Sequence, residues 1–340
     1  MPSERRPRLT PPIADVRRAV RGVLVQRDDA PLALVALSGG ADSLALAAGA
    51  AFEAPRAGWR AGAVVVDHGL QPGSSEQADA AASVARELGL DPVLVVPVAA
   101  AAAPGGAGPE GAARTARYAA LDAAARDTGA ELVLLGHTLD DQAETVLLGL
   151  ARGSGTASLA GMAPRSGRYA RPLLGVRRAT TRQACLDAGL VPWDDPHNLD
   201  PAYARVRVRG RVLPVLEDEL GPGVAEALAR TAEQLREDEQ AFAEQIDEFI
   251  EEICEPAEAG IAVSVGALAA NPAALRQRII RHVVASEFGV ALTRRQTLEV
   301  ARLVTDWHGQ GPIDLPGCRA ARVGMRIEFT AGAGAERPAD

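Results

Sequence analysis

Through its first half the chain alternates short apolar runs with stretches whose apolar residues recur at helical spacing. Runs of strand length fall at Ala33–Leu37, Gly62–Asp67, Val93–Val98 and Glu131–Gly136. Between them the spacing predicts helices at Asp42–Phe52, Ser75–Leu88 and Gly111–Asp127. Near-continuous apolar strands separated by helices belong to a sheet covered on both faces, so the expected fold class is α/β with a doubly wound parallel sheet. A further strand and helix are expected at Arg171–Leu174 and Arg178–Ala188. From Gly223 to Ile253 the pattern becomes one long acidic helix, with Leu228, Leu235, Phe242, Ile246 and Phe249 along one side. A small α/β C-terminal domain is expected after it. It has a basic helix following Asn271-Pro272 (Arg276, Arg278, Arg281), a second over Thr293–Thr305, and a hairpin-like alternation from Gly311 to Phe329. Two stretches escape the pattern. Met1–Pro12 is rich in Arg and Pro and reads as a loose tail, and the Ala/Gly/Pro stretch Ala99–Pro109 reads as a mobile loop.

In an open parallel sheet ligands bind beyond the C-terminal ends of the strands. Three polar clusters fall at that edge: Ser38-Gly39-Gly40-Ala41-Asp42-Ser43 after the first strand, Asp67-His68-Gly69 after the second, and Gly136-His137 through Glu144 after the fourth. In the first, glycines let backbone N–H groups approach an anion, and the following helix N-terminus adds partial positive charge. It is not a Walker loop, which needs a lysine, because the sequence contains no lysine at all. A plain tight turn would leave Ser38, Asp42 and Ser43 unexplained. As a cap alone Asp42 contributes about 0.5–2 kcal/mol. Beside a bound phosphate it requires Mg²⁺ or a cationic partner. Asp141 and Glu144, three apart on one helix face, repel each other and call for a cation between them, Mg²⁺ or an ammonium group. A solvated acidic helix start is the plainer alternative. Arg114 and Arg117 sit on adjacent turns of one helix, as a surface salt bridge or as a clamp on pyrophosphate or RNA phosphate, and position alone leaves this open.

Composition narrows the setting. With 340 residues, 47% of them hydrophobic, the chain can bury a large core and fill two domains. Its three cysteines, Cys185, Cys254 and Cys318, form no CxxC pair and suit a reducing compartment, so a cytoplasmic protein is expected. No apolar run reaches the roughly 18 residues of a membrane span. Net charge is −8, which argues against a general nucleic-acid binder. Arginines nonetheless cluster at Arg165, Arg168, Arg171, Arg177, Arg178 and Arg182, and again at Arg205, Arg207, Arg209 and Arg211. Without compensating acid such clusters form a local phosphate-binding surface; on solvated helices they are only a polar face.

Taken together these segments resemble the tRNA(Ile)-lysidine synthetase family of PP-loop ATP pyrophosphatases, over about Pro31 to Pro222. The markers are SGGADS (Ser38–Ser43), DHGL (Asp67–Leu70), EGAARTARY (Glu110–Tyr118), GHTLDDQAET (Gly136–Thr145), LARGSG (Leu150–Gly155), RPLLG (Arg171–Gly175) and WDDPHNLDPAYARVRVR (Trp193–Arg209). One departure is Val206, where many members carry Asn. The resemblance implies that ATP adenylates C2 of the wobble cytidine of tRNA(Ile) with a CAU anticodon, and that the ε-amine of L-lysine then expels AMP. It implies that Gly39 and Gly40 with Ser38 and Ser43 hold the phosphates, with Asp67, His68, Gly136 and Arg205 on the nucleotide side. Asp42 would hold Mg²⁺; Asp42, Asp141 and Glu144 would bind the lysine ammonium; one of these acids or His137 would take its proton; Arg114, Arg117 and Arg205 would neutralise phosphate. It implies no membrane partner and leaves room for a homodimer. Expected boundaries are 1–28 for the tail and an N-terminal helix, 29–218 for the PP-loop catalytic domain, 219–256 for a helical linker and 257–332 for a small tRNA-binding domain. Three other readings stay open: a base-thiolating PP-loop enzyme, which needs catalytic cysteines or an iron–sulfur cluster; a small-molecule ligase using ammonia; and a non-catalytic nucleotide binder.

Overall fold

The computed structural model describes residues 9–69, 73–98, 108–153, 155–257 and 260–332. The start of the expected tail, Leu70 and Gln71, Ser154 and most of the Ala99–Pro109 stretch lie outside the described residues, as do the side chains of Glu110 and His197.

The apolar run after Pro31 forms β1 (Leu32–Leu37), whose alternate residues are buried against opposite sides. Ala33, Val35 and Leu37 belong to one core cluster, and Leu32 and Leu34 to another. Helix α1 (Pro11–Arg21) begins with the prolines assigned to the tail, because Pro at a first helical position loses no hydrogen bond. It is followed, around β1, by α2 (Ala41–Glu53), β2 (Arg60–Asp67), α3 (Ser74–Glu87), β3 (Val93–Pro97), α4 (Gly108–Thr128), β4 (Leu132–Leu134) and α5 (Leu139–Ala151). Then come α6 (Thr156–Leu159), β5 (Arg165–Ser166), β6 (Tyr169–Ala170), α7 (Arg178–Asp187), α8 (Ala204–Arg207) and α9 (Leu213–Leu220).

These strands form one sheet in the order β3-β2-β1-β4-β6-β5, parallel except for β5. The apolar faces of α1, α2, α3 and α7 cover one side, and Leu121, Ala124 and Ala125 of α4 cover the other. The strand order reverses between β1 and β4, and that switch point is where an α/β sheet opens a crevice. The strand expected at Arg171–Leu174 is instead a 3-10 turn over Pro172–Gly175. Pro172 has no N–H to give a ladder, so pairing ends at Ala170.

The chain divides into two compact units, 1–234 and 235–340, with helix α10 (Val224–Ile253) running through the division. In the first unit Glu217 caps its start by accepting the N–H groups of Gly223, Val224 and Ala225. The second unit is an antiparallel sheet, β7-β8-β11-β10-β9, packed with three helices. Its elements are β7 (Cys254–Ala257), β8 (Gly260–Ser264), α11 (Val265–Ala270), α12 (Ala273–Phe288), α13 (Arg294–Thr305), β9 (Ile313–Leu315), β10 (Cys318–Val323) and β11 (Arg326–Ala331). The expected hairpin is thus a three-stranded meander, and β7–β8 is a second hairpin that the sequence pattern did not reveal. Phe329, Ile327, Ile279, Ile280 and Leu303 fill this core. No helix among the described residues is long and apolar enough to cross a membrane.

Candidate active site

The turn after β1 is held by a set of hydrogen bonds. Gly39 has φ +80°, a conformation that favours glycine, and its carbonyl accepts the Trp193 N–H at 2.9 Å. Ser43 Oγ donates to the Gly40 carbonyl at 3.0 Å, accepts the Ser38 N–H at 3.2 Å and lies 3.2 Å from Ser38 Oγ. Helix α2 starts at Ala41 with no side-chain cap, so its first N–H groups keep their capacity for an external acceptor. Gly136, two residues past β4, is a space-making residue: a Cβ there would stand 3.1 Å from the Ser43 nitrogen and 3.2 Å from the Asp42 carbonyl carbon. Its missing side chain lets the two switch-point strands bring their following segments together.

The carboxylates meet on one guanidinium. Arg178 directs Nε to Asp42 at 3.5 Å, Nη2 to Asp141 at 2.7 Å and Nη1 to Glu144 at 3.1 Å. Its own N–H is held by Asp140 Oδ2 at 2.7 Å. Arg209 grips Glu144 with Nε at 2.7 Å and Nη2 at 3.2 Å, reaching Asp141 at 3.5 Å. Arg205 stands 3.8 Å from Glu144 and donates to Thr145 Oγ1 at 3.2 Å. The cation expected between Asp141 and Glu144 is therefore supplied by the chain itself, as guanidinium. The two arginine clusters, expected to lack compensating acid, are largely paired: Arg177 meets Asp140, Glu217 and Glu226, and Arg182 meets Asp194.

Local chemistry sets the acids apart. Thr138 caps α5 and donates its N–H and hydroxyl to Asp141 Oδ2 at 2.8 and 2.9 Å. Burial works to raise the Asp141 carboxyl, but Arg178 and these donors outweigh it and hold it below the usual range. For Asp42 burial prevails over the Thr181 hydroxyl and Arg178, and its carboxyl is raised. Glu144 is fully buried. Among the described residues no group of three or more His, Cys, Asp or Glu is placed to hold a metal ion. Asp42 fits Mg²⁺ only as a single carboxylate sharing the ion with phosphate oxygens and water, which is how that ion is commonly held.

A second, cationic cluster faces the same edge. His137, just after β4, is neutral: burial depresses its pKa to about 4, with Arg117, Arg171 and Arg114 pushing the same way against Asp141. Among the described residues its Nδ1 has no hydrogen-bond partner, and the same holds for Arg117 Nε and Arg171 Nε. Burial and Arg114 lower the Arg117 pKa as well. Arg114 is exposed and stacks on Tyr118, 5.0 Å from the ring. His68 is lowered by burial and by Arg117. Asp67 is occupied locally, accepting the Gly69 N–H at 3.0 Å and the Ser75 hydroxyl at 3.2 Å.

Of the expected site residues, Ser38, Gly39, Gly40, Asp42 and Ser43 form the turn; Asp141, Glu144 and Arg205 join Asp42 through the guanidiniums; and Arg117, Arg114, His68 and His137 form the cationic cluster. Arg178 and Arg209, named from the sequence only as members of arginine clusters able to bind phosphate, belong to the site as partners of its carboxylates, and Thr181 joins them without having been named. Their only signal was an arginine-rich run following a carboxylate motif that demanded a cation.

This geometry has known counterparts. A family profile described as a PP-loop domain matches residues 14–216, and one described as a TilS substrate binding domain matches residues 264–327. The chain is therefore a PP-loop protein, of the ATP-using class. A curated tRNA(Ile)-lysidine synthase of Leifsonia xyli is 68% identical over 88% of this chain and 89% of its own length. Those of Thermobifida fusca and Streptomyces coelicolor are 52% and 56% identical, covering 92% and 86% of this chain and 95% and 83% of their own lengths. The chain belongs to the tRNA(Ile)-lysidine synthase family. Among solved structures, a U34-tRNA thiolase from Methanococcus maripaludis with its [4Fe-4S] cluster shares the fold, with TM-score 0.54 and 21% identity over 66% of this chain and 80% of its own. Cluster or thiolate chemistry finds no such ligand here in Cys185, which is fully buried, donates to the Ala41 carbonyl and has its thiol pushed up to about 12 by burial.

Proposed function

We propose that the protein joins L-lysine to C2 of the wobble cytidine of tRNA(Ile) with a CAU anticodon, through an adenylated tRNA intermediate, releasing pyrophosphate and AMP. The observation that carries this reading is the shared guanidinium. It ties the turn's Asp42 to Asp141 and Glu144, so a nucleotide on the turn and an amine on the acids lie side by side. The relatives' common name supplies the substrate.

In this mechanism the N–H groups of the turn and the first turn of α2, with Ser38 and Ser43, bind the ATP phosphates. Arg114 and Arg117 supply donors to phosphate oxygens, and the unpartnered Arg117 Nε gains an acceptor there. Asp42 would hold Mg²⁺, which would supply positive charge to offset the charge on pyrophosphate. Lysine's ε-amine, with a pKa near 10.4, must lose a proton before it attacks C2. Glu144 and Asp141 position the ammonium, and the neighbouring guanidiniums favour its neutral form. A carboxylate, Asp42 with its raised carboxyl or Glu144, is assigned to accept that proton, because His137, depressed to about 4 among arginines, is too weak a base.

The test is mass analysis of nucleosides from tRNA(Ile) incubated with the protein, ATP, Mg²⁺ and isotopically labelled L-lysine. Label at the wobble base is expected, and it should depend on all three substrates. Unlabelled wobble cytidine under those conditions would remove the assignment.

A further inference from the structure

The carboxylates read above as the lysine pocket are already neutralised. Against Asp42, Asp141 and Glu144 stand Arg178, Arg209 and, at 3.8 Å, Arg205. An incoming ammonium finds Glu144 fully buried and both its oxygens engaged. One of the guanidiniums has to give way.

The surroundings decide which. Arg178 is locked. Each of its three nitrogens serves a different carboxylate, its backbone N–H is bound to Asp140, and its helix is tied to α2 through Thr181 and Cys185. Arg205 touches Glu144 only distantly. Arg209 holds Glu144 on two nitrogens, yet beyond that its one other ion-pair partner among the described residues is Asp141 at 3.5 Å, and its side chain is 30% exposed. It also rides on a π-helical turn, Val208–Val212, between α8 and α9. Pro214 explains that turn: it lacks an N–H and its ring crowds the Gly210 carbonyl, so the helix widens there. A widened turn has fewer regular hydrogen bonds to break when its side chains reorient.

We propose that Arg209 is a built-in stand-in for the substrate's ammonium: it occupies Glu144 when no amine is bound and is displaced when lysine enters. The inference rests on the lysine-pocket reading and makes Arg209 a specificity-determining residue. A ligand without a side-chain cation cannot pay the electrostatic cost of moving it, so norleucine is excluded although its hydrocarbon chain matches that of lysine. Once released, the Arg209 guanidinium is free to meet phosphate at the same rim.

The experiment compares wild type, Arg209→Met, Arg209→Lys and, as a control at an exposed pair, Arg182→Met. Lysine KM is measured in lysidine formation, and the shift of the thermal midpoint on adding L-lysine or norleucine is measured without turnover. If Arg209 holds Glu144 about nine-tenths of the time, its removal lowers the lysine KM roughly tenfold and leaves the ATP KM unchanged. Arg209→Lys, which keeps the charge but loses the two-pronged grip, falls between and covers the case in which Arg209→Met does not fold. L-Lysine raises the midpoint of Arg209→Met more than that of wild type or Arg182→Met, and norleucine raises none. A lysine KM unchanged or increased in both Arg209 variants, or lysine stabilising all proteins equally, overturns the inference. Failure of the wild type to form lysidine overturns instead the functional reading, and the thermal comparison still decides the displacement.

Discussion

At one sheet edge the protein keeps two charged clusters on opposite terms. Around Asp42, Asp141 and Glu144 every acid has a guanidinium, and the pairing holds α2, α5, α7 and the π-helical turn together. Among the described residues the cations around His137 outnumber the acids, and His137, Arg117 and Arg171 each retain a buried nitrogen without a partner there. The first cluster is part of what makes the site fold. The second is held in an unfavourable state by the surrounding structure, which is the condition of a site awaiting an anion. On the proposed function, stability and binding are divided between neighbouring arginines, and the division can be attacked one residue at a time.

The largest effect is expected from Arg178→Met, which leaves three clustered carboxylates without their common partner. Urea denaturation should show a loss of about 3–5 kcal/mol. A loss indistinguishable from zero would mean that the network does not support the fold. On the other side, burial lowers His137 from 6.5 to about 4, so the unfolded chain binds more protons between these values. The stability this contributes is complete above pH 6.5 and is lost as pH falls toward 4, by about 3 kcal/mol in all. His137→Gln should flatten that part of the stability profile, and an unchanged slope would assign the acid sensitivity elsewhere. Arg117→Met separates the two clusters most directly. Lysidine formation should drop about 10²-fold, while stability stays within about 0.5 kcal/mol of wild type or rises. A parallel loss of both would make Arg117 a structural residue like Arg178. Smallest of all, Arg182→Met removes an exposed pair with Asp194 and should leave the denaturation midpoint where it was.

How far the sequence could be read follows the same line between local and distant. β1 with the turn and α2, and β4 with α5, were legible because strand, glycine pair, cap and helix succeed one another within a few residues. The need for a cation at Asp141 and Glu144 was legible too, from like charges three apart. Its source was not, because Arg178 lies on another helix and no spacing rule connects α5 with α7. The same limit hid β8, whose pairing with β11 is made across most of the second unit. At Arg171–Leu174 the apolar run pointed to a strand, and a single proline moved the pairing two residues upstream.

Cys185 gives the site a natural clock. Its thiol hangs from α7 onto the Ala41 carbonyl in the first turn of α2, wholly shielded from solvent. A thiol-modifying reagent can reach it only when those two helices part, so the rate of its labelling counts the excursions in which the turn after β1 loosens. A ligand that seals the crevice must slow that count.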